Sequence, residues 1–109
     1  MAWSSNNLIA LNILVTAATS AQAHRLKSKL IGDHVLLGDH LELPKFMLSP
    51  GNMIRLPDPN STTYVHEMLT LCLDNYIDAV YMLRDGEAKL LLSAEQLFKE
   101  YNISLTSEI

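Results

Sequence analysis

The chain of 109 residues has one cysteine, four glycines and eight basic residues, and each scarcity excludes something. With Cys72 alone there is no internal disulfide and no zinc site built on paired cysteines, a pattern that fits a reducing compartment. Eight Lys and Arg against twelve Asp and Glu leave a net charge of -4, which argues against nucleic acid as a partner, because such binding rests on neutralising phosphates. No apolar run approaches the ~18 residues of a membrane-spanning helix. Few glycines mean that no G-x-G-x-x-G loop is present, so the backbone approach to a pyrophosphate made by dinucleotide-binding turns has no counterpart here.

The N-terminus imitates a secretion signal in part. Leu8 to Ala18 is largely apolar and Ala21-Gln22-Ala23 has the small-x-small form of a cleavage site. Residues 1–10 carry no Lys or Arg, however, and Asn12 and Thr16 interrupt the apolar run. Cleavage would also remove the best strand in the chain, so retention in the cytoplasm is the expectation.

What is present is alternation. After a polar arm over residues 1–7 that holds Trp3, the residues Leu11, Ile13, Leu14 and Val15 form an apolar run suited to a strand covered on both faces. Thr19 or Ser20 can cap a helix from about Ala21 to Ile31, with Ala23, Leu26, Lys27 and Leu30 along one side and Gly32 as its stop. Asp33 to Gly38 reads as a second strand ending at Asp39. Leu41 to Asn52, with Pro44, Pro50 and Gly51, offers no long helix, and Met53 to Leu56 is a short third strand.

Ser61 is placed to cap a helix whose Tyr64, Val65, Met68, Leu69, Cys72 and Tyr76 recur at helical spacing and should face the sheet. Asp78 to Leu83 is a fourth strand. One last helix is expected from Asp85 or Gly86, burying Leu90, Leu91, Ala94, Leu97, Phe98 and Tyr101, with Asn102 as a left-handed terminator before an edge strand over Ile103 to Thr106. Strands alternating with helices of three to four turns imply an α/β fold: a Rossmann-like, three-layer single domain with a mostly parallel sheet of about five strands. Right-handed crossovers favour the order 3-2-1-4-5.

The passages NILVTAATS, VLLGDH, IRLPDPNSTTYVHEMLTLCLDNYIDAVYMLRDGE and LFKEYNI together resemble the pre-ATP-grasp domain. This is the Rossmann-like N-terminal unit of carbamoyl-phosphate-synthase-like and carboxylase-like ATP-grasp ligases. The likeness covers residues 11 to 106 and is strongest from Leu56 to Arg84. In that family the adenylate and magnesium sites lie in a following ATP-grasp region, to which no position of these 109 residues corresponds. The resemblance therefore implies no catalytic residue, cofactor or metal ligand here. It implies an accessory or interaction module without catalysis of its own, or the substrate-side piece of a split ligase completed by an ATP-grasp partner.

Read from the residues themselves, the ligand candidates cluster where strands end. Thr19 and Ser20 stand at a strand end and a helix start, where free amides and the helix dipole favour an anion; plain helix capping is the weightier reading, since the loop has no glycine to let a phosphate approach. Asp39, twenty residues on, has the spacing of a ribose-binding acid, or is ordinary turn chemistry. Arg84, with Asp85 and Glu87, follows the fourth strand across the switch-point crevice and is the best anion contact in the chain, unless Asp85 merely caps the last helix. A small nucleotide, phosphate or carboxylate is the ligand these residues would suit.

His34 and His40 fall about 20 Å apart along an extended strand and could share a metal only if the chain turned sharply at Gly38; His24 and His66 lie on separate helices. Cys72 sits on an apolar helix stripe and reads as core. Trp3, Leu8 and Ile9 could make a dimer contact, as could the short closing strand, whose open edge a second copy of the chain would satisfy.

Overall fold

The computed structural model describes residues 10–41 and 53–107. The expected Trp3 arm, with Leu8 and Ile9, and the Pro-containing stretch beyond Leu41 lie outside them. Five strands, β1 (Asn12–Val15), β2 (His34–Asp39), β3 (Met53–Arg55), β4 (Ala79–Met82) and β5 (Ser104–Ser107), form one sheet in the order β3-β2-β1-β4-β5. All neighbours run parallel, with Leu14 beside Leu36 and Val80. The chain is therefore the α/β Rossmann-like sheet that the alternation of apolar segments implies.

Side chains of a strand alternate between its faces, and the two faces are packed differently. On one, Leu14, Val80, Met82 and Leu105 meet α2 (Tyr64–Asp74), α3 (Asp85–Leu92) and α4 (Glu95–Glu100) through Met68, Cys72, Leu91 and Phe98. On the other, Ile13, Val15, Leu37 and Ala79 pack with Ala23, Leu26 and Leu30 of α1 (Ala21–Lys29) and its C-cap. Each fully buried Leu or Phe contributes about 2–3 kcal/mol by leaving water. None of the helices among the described residues is long and apolar enough to cross a membrane.

Several boundaries differ from expectation. Of the two expected caps it is Ser20 that caps α1, its hydroxyl oxygen accepting from the Ala23 amide at 3.1 Å, and the helix ends at Lys29 rather than Ile31. The helix after β3 starts at Tyr64, with Thr63 rather than Ser61 at the capping position and no side-chain cap. The Ser61 and Thr63 hydroxyls donate instead to Glu67, at 2.5 and 2.6 Å, and hold that exposed carboxyl below its ordinary value.

The single last helix is two. Ser93 folds its hydroxyl back onto the Leu90 carbonyl at 2.6 Å, and the Ala94 amide takes the Leu91 carbonyl, tightening the turn. The break re-aims the stripe: Leu91 and Phe98 are buried, while Leu90 and Tyr101 face solvent.

Tyr76 also turns outward, 79% exposed, rather than facing the sheet. The reason is the helix stop. The Ile77 amide donates to the Cys72 carbonyl and the Tyr76 amide to that of Leu73, the paired bonds of a Schellman motif. Tyr76 takes the left-handed position at φ 55° and Ile77 the buried one. The end of α4 repeats this, with Asn102 at φ 63° and Ile103 buried.

Candidate functional site

In a parallel sheet every strand-to-helix connection lies at one end, and where the chain order reverses, between β1 and β4, the connections diverge and leave a crevice. The turn after β1 is tied to both neighbouring strands there. The Thr16 amide donates to the Tyr81 carbonyl at 3.1 Å and the Ala18 amide to that of Gly38 at 3.0 Å, while the Thr16 hydroxyl oxygen accepts from the Leu83 amide at 2.8 Å. Ala17 occupies φ 54°, a conformation glycine would adopt without strain. Its neighbour Ala18 is fully buried.

The structure brings Thr19, Asp39 and Arg84 together. The Asp39 side chain has 0% exposure, although it ends a strand. One carboxylate oxygen accepts from the Arg84 guanidinium at 2.8 Å, from the Thr19 hydroxyl at 3.2 Å and from the Thr19 amide at 3.4 Å. The other accepts from the Leu41 amide at 3.3 Å. Burial works against the charged form, but the Arg84 bond, the Leu41 amide, the Arg84 charge and the Thr19 amide outweigh it, and the carboxyl sits below its ordinary value. The protein's own carboxylate thus stands at the helix N-terminus where a bound anion would otherwise stand.

Ser20 is close in sequence but otherwise engaged. Its hydroxyl donates to the Ala17 carbonyl at 2.8 Å while its oxygen caps α1. Asp85 is not drawn in: its carboxylate is largely in water, 3.3 Å from Lys89 one turn along α3. It does not cap the helix either, since the capping position is Arg84, which makes no side-chain cap bond.

A second polar group lies on the three-helix side of this end; it shares Arg84 with the first and adds His40, Tyr64 and Glu87, of which only Glu87 was placed beside the crevice from the sequence. Glu87, in the first turn of α3, is only 2% exposed. Burial raises its carboxyl above the ordinary value, more than the Thr16 hydroxyl, the Arg84 amide and the charges of Arg84 and His40 lower it. The Tyr64 phenol is also buried and pushed up, first by burial and then by neighbouring Glu87. Four buried polar atoms in this group have no hydrogen-bond partner: His40 Nδ1, Tyr64 Oη, Arg84 Nε and Glu87 Oε2. The nearest approach of His40 Nδ1 to Asp39 is 3.7 Å, beyond a hydrogen bond.

Glu87 looked like an acid in a solvated first turn, and Tyr64 like one more apolar-stripe residue. No local signal pairs them, since they stand 23 residues apart on two different helices.

The remaining singled-out residues are scattered. His34 and His40 lie at opposite ends of β2, and His24 bonds the Ala18 carbonyl at 3.0 Å. Among the described residues no three His, Cys, Asp or Glu side chains are grouped to hold a metal. Cys72 is fully buried in the three-helix core, and burial pushes its thiol up to about 12, so it is no nucleophile in the folded chain.

Fold and site together define an open parallel α/β domain with a polar switch point. Compared with known proteins, no family model matches the chain and no curated protein is significantly similar to it.

Proposed function

We propose that this chain acts as an accessory module of the pre-ATP-grasp type, without catalysis of its own, that works against a protein supplying the ATP-grasp region. The observation that carries this reading is the placement of Asp39. By holding Thr19 and Arg84, it satisfies the groups that would otherwise take a phosphate or carboxylate, so a nucleotide loses its best contacts at the first turn.

Two further features support it. The passage with the strongest resemblance, Leu56 to Arg84, folds as the exit from β3, then α2, β4 and the start of α3. At the opposite end of the sheet, Leu11, Ile31, Tyr76 and Tyr101 precede four different strands, which places these exposed apolar side chains on one rim.

The test is isothermal titration of the whole chain with ATP, phosphate and acetate, followed by sedimentation of the chain mixed with an ATP-grasp protein encoded beside it. Silence towards the three ligands and a complex with the partner are the expected results. Nucleotide binding, or no complex, rejects the reading. A second reading, that the crevice takes a small ligand, is favoured by a separate observation: the unpartnered polar atoms around Glu87.

A further inference from the structure

We propose that His40, Tyr64, Arg84 and Glu87 form a binding site for a small uncharged group that both donates and accepts hydrogen bonds, of the primary carboxamide class. This rests on the second reading above, that the crevice takes a ligand.

The first ground is unused hydrogen-bonding capacity. Buried polar groups in folded proteins are almost always paired, because an unpaired one forfeits its bonds to water. Here four such atoms lack a well-formed hydrogen bond, although the Tyr64 phenol and the Glu87 carboxyl lie close enough to act on each other. Glu87 ties them together: Tyr64 is beside it, and it lies within electrostatic reach of Arg84 and His40. The group stands at the carboxyl ends of β2 and β4, the end of an open parallel sheet where ligands bind.

The second ground is the donor and acceptor inventory. Arg84 Nε can only donate. The Tyr64 hydroxyl can donate or accept, and the imidazole nitrogen of His40 can do either according to its tautomer. Glu87 offers acceptor oxygens and, when it carries the proton that burial favours, a donor as well. A primary carboxamide, with one carbonyl and one NH2, complements such a set from both sides.

The third ground is charge. The Arg84 guanidinium is already offset by Asp39 at 2.8 Å, so an incoming anion meets a cation that is taken and two nearby carboxyls. An incoming cation meets Arg84 itself. A charged ligand would shed its water without gaining an uncompensated opposite charge, whereas an uncharged group avoids that cost.

The test is a two-dimensional amide NMR titration of the full chain with acetamide and formamide, run beside acetate, phosphate and methylammonium. The carboxamides are expected to shift the amides of His40, Leu41, Tyr64 and residues 83–88, and the charged probes to leave them in place. Glu87→Gln, the uncharged isostere, should retain binding, and Tyr64→Phe, which removes one hydrogen bond, should weaken it about tenfold. Dispersion of the same spectra reports whether each variant folds.

Shifts with acetate, phosphate or methylammonium at these amides overturn the carboxamide class while leaving a ligand at the crevice. A well-dispersed spectrum with no local shift from any probe, or shifts spread evenly over the surface, overturns both the site and the reading beneath it.

Discussion

Asp39 and Glu87 are buried carboxyls at the same end of one sheet, and the two regions treat them in opposite ways. On the α1 side, Asp39 is surrounded by donors: a guanidinium, a hydroxyl and two amides. Those bonds outweigh the cost of burial and keep it charged. On the three-helix side, burial dominates at Glu87 and favours the proton, and one carboxyl oxygen has no partner. Burial alone therefore does not decide a carboxyl's state; the number of donors aimed at it does. The first region is closed on itself and structural, the second retains unused bonding capacity.

The sharpest way to break this contrast is to remove the satisfied partner. Asp39→Ala should cost about 2–4 kcal/mol, because it strands Arg84 and the Thr19 groups; the lower end is favoured because the Arg84 side chain is 32% exposed. Urea melts at neutral pH read the loss, and a cost below about 0.5 kcal/mol, the scale of an ordinary surface substitution, would make Asp39 a bystander. The same variant exposes the Thr19 amide and Arg84, so added sulfate should restore part of the stability.

Next in size is the backbone beneath Asp39. Gly38 has no side chain, and a Cβ there would come within 2.7 Å of Leu56 Cδ2. Leu56 is itself buried in the core, so Gly38→Ala should cost about 1–3 kcal/mol by overpacking. A thermal melt unchanged from the parent would show that Leu56 yields freely.

The two carboxyls should also oppose each other in pH. The folded pKa of Asp39 is depressed, so its contribution is present above the unfolded value of about 3.9 and is lost as pH falls through the folded value. That of Glu87 is raised, so the folded chain holds a proton the unfolded chain gives up. Stability from this group therefore declines as pH rises from the unfolded value of about 4.3 through the folded one. Glu87→Gln should remove the second slope and stabilise the chain at neutral pH, because the amide needs no proton to be buried uncharged. Stability measured across mildly acidic to mildly alkaline pH checks it; a slope unchanged in the variant would assign the dependence elsewhere.

The smallest effect is a control away from both carboxyls. Tyr76 holds a left-handed backbone while its side chain is in water, so Tyr76→Gly should raise stability by about 0.5–1 kcal/mol. It should leave both pH slopes in place, and a change in either would couple the two ends of the sheet.

Much of the fold was legible because it follows from local rules. Apolar runs alternating with helical stripes imply a parallel α/β sheet, and right-handed crossovers imply the order 3-2-1-4-5 that is observed. Asn102 and Gly32 were recognisable as left-handed positions because those residue types favour that conformation. Tyr76 was not, because its left-handed turn is imposed by Ile77 entering the core rather than by any preference of tyrosine.

The site divides in the same way. Spacing alone marked Thr19, Ser20, Asp39 and Arg84 as residues at strand ends. That Asp39 would serve Thr19 and Arg84 depends on three connections meeting at one place, which a linear reading does not show. Glu87 carries the point furthest. Its sequence position is that of an acid favouring a helix start, and its burial beside Tyr64 exists only once α2 and α3 pack on the same face of the sheet. The sequence by itself determined which residues form strands and helices, through periodicity and turn chemistry. Tertiary packing decided which carboxyl keeps its charge, because that depends on donors and burial supplied by segments distant along the chain.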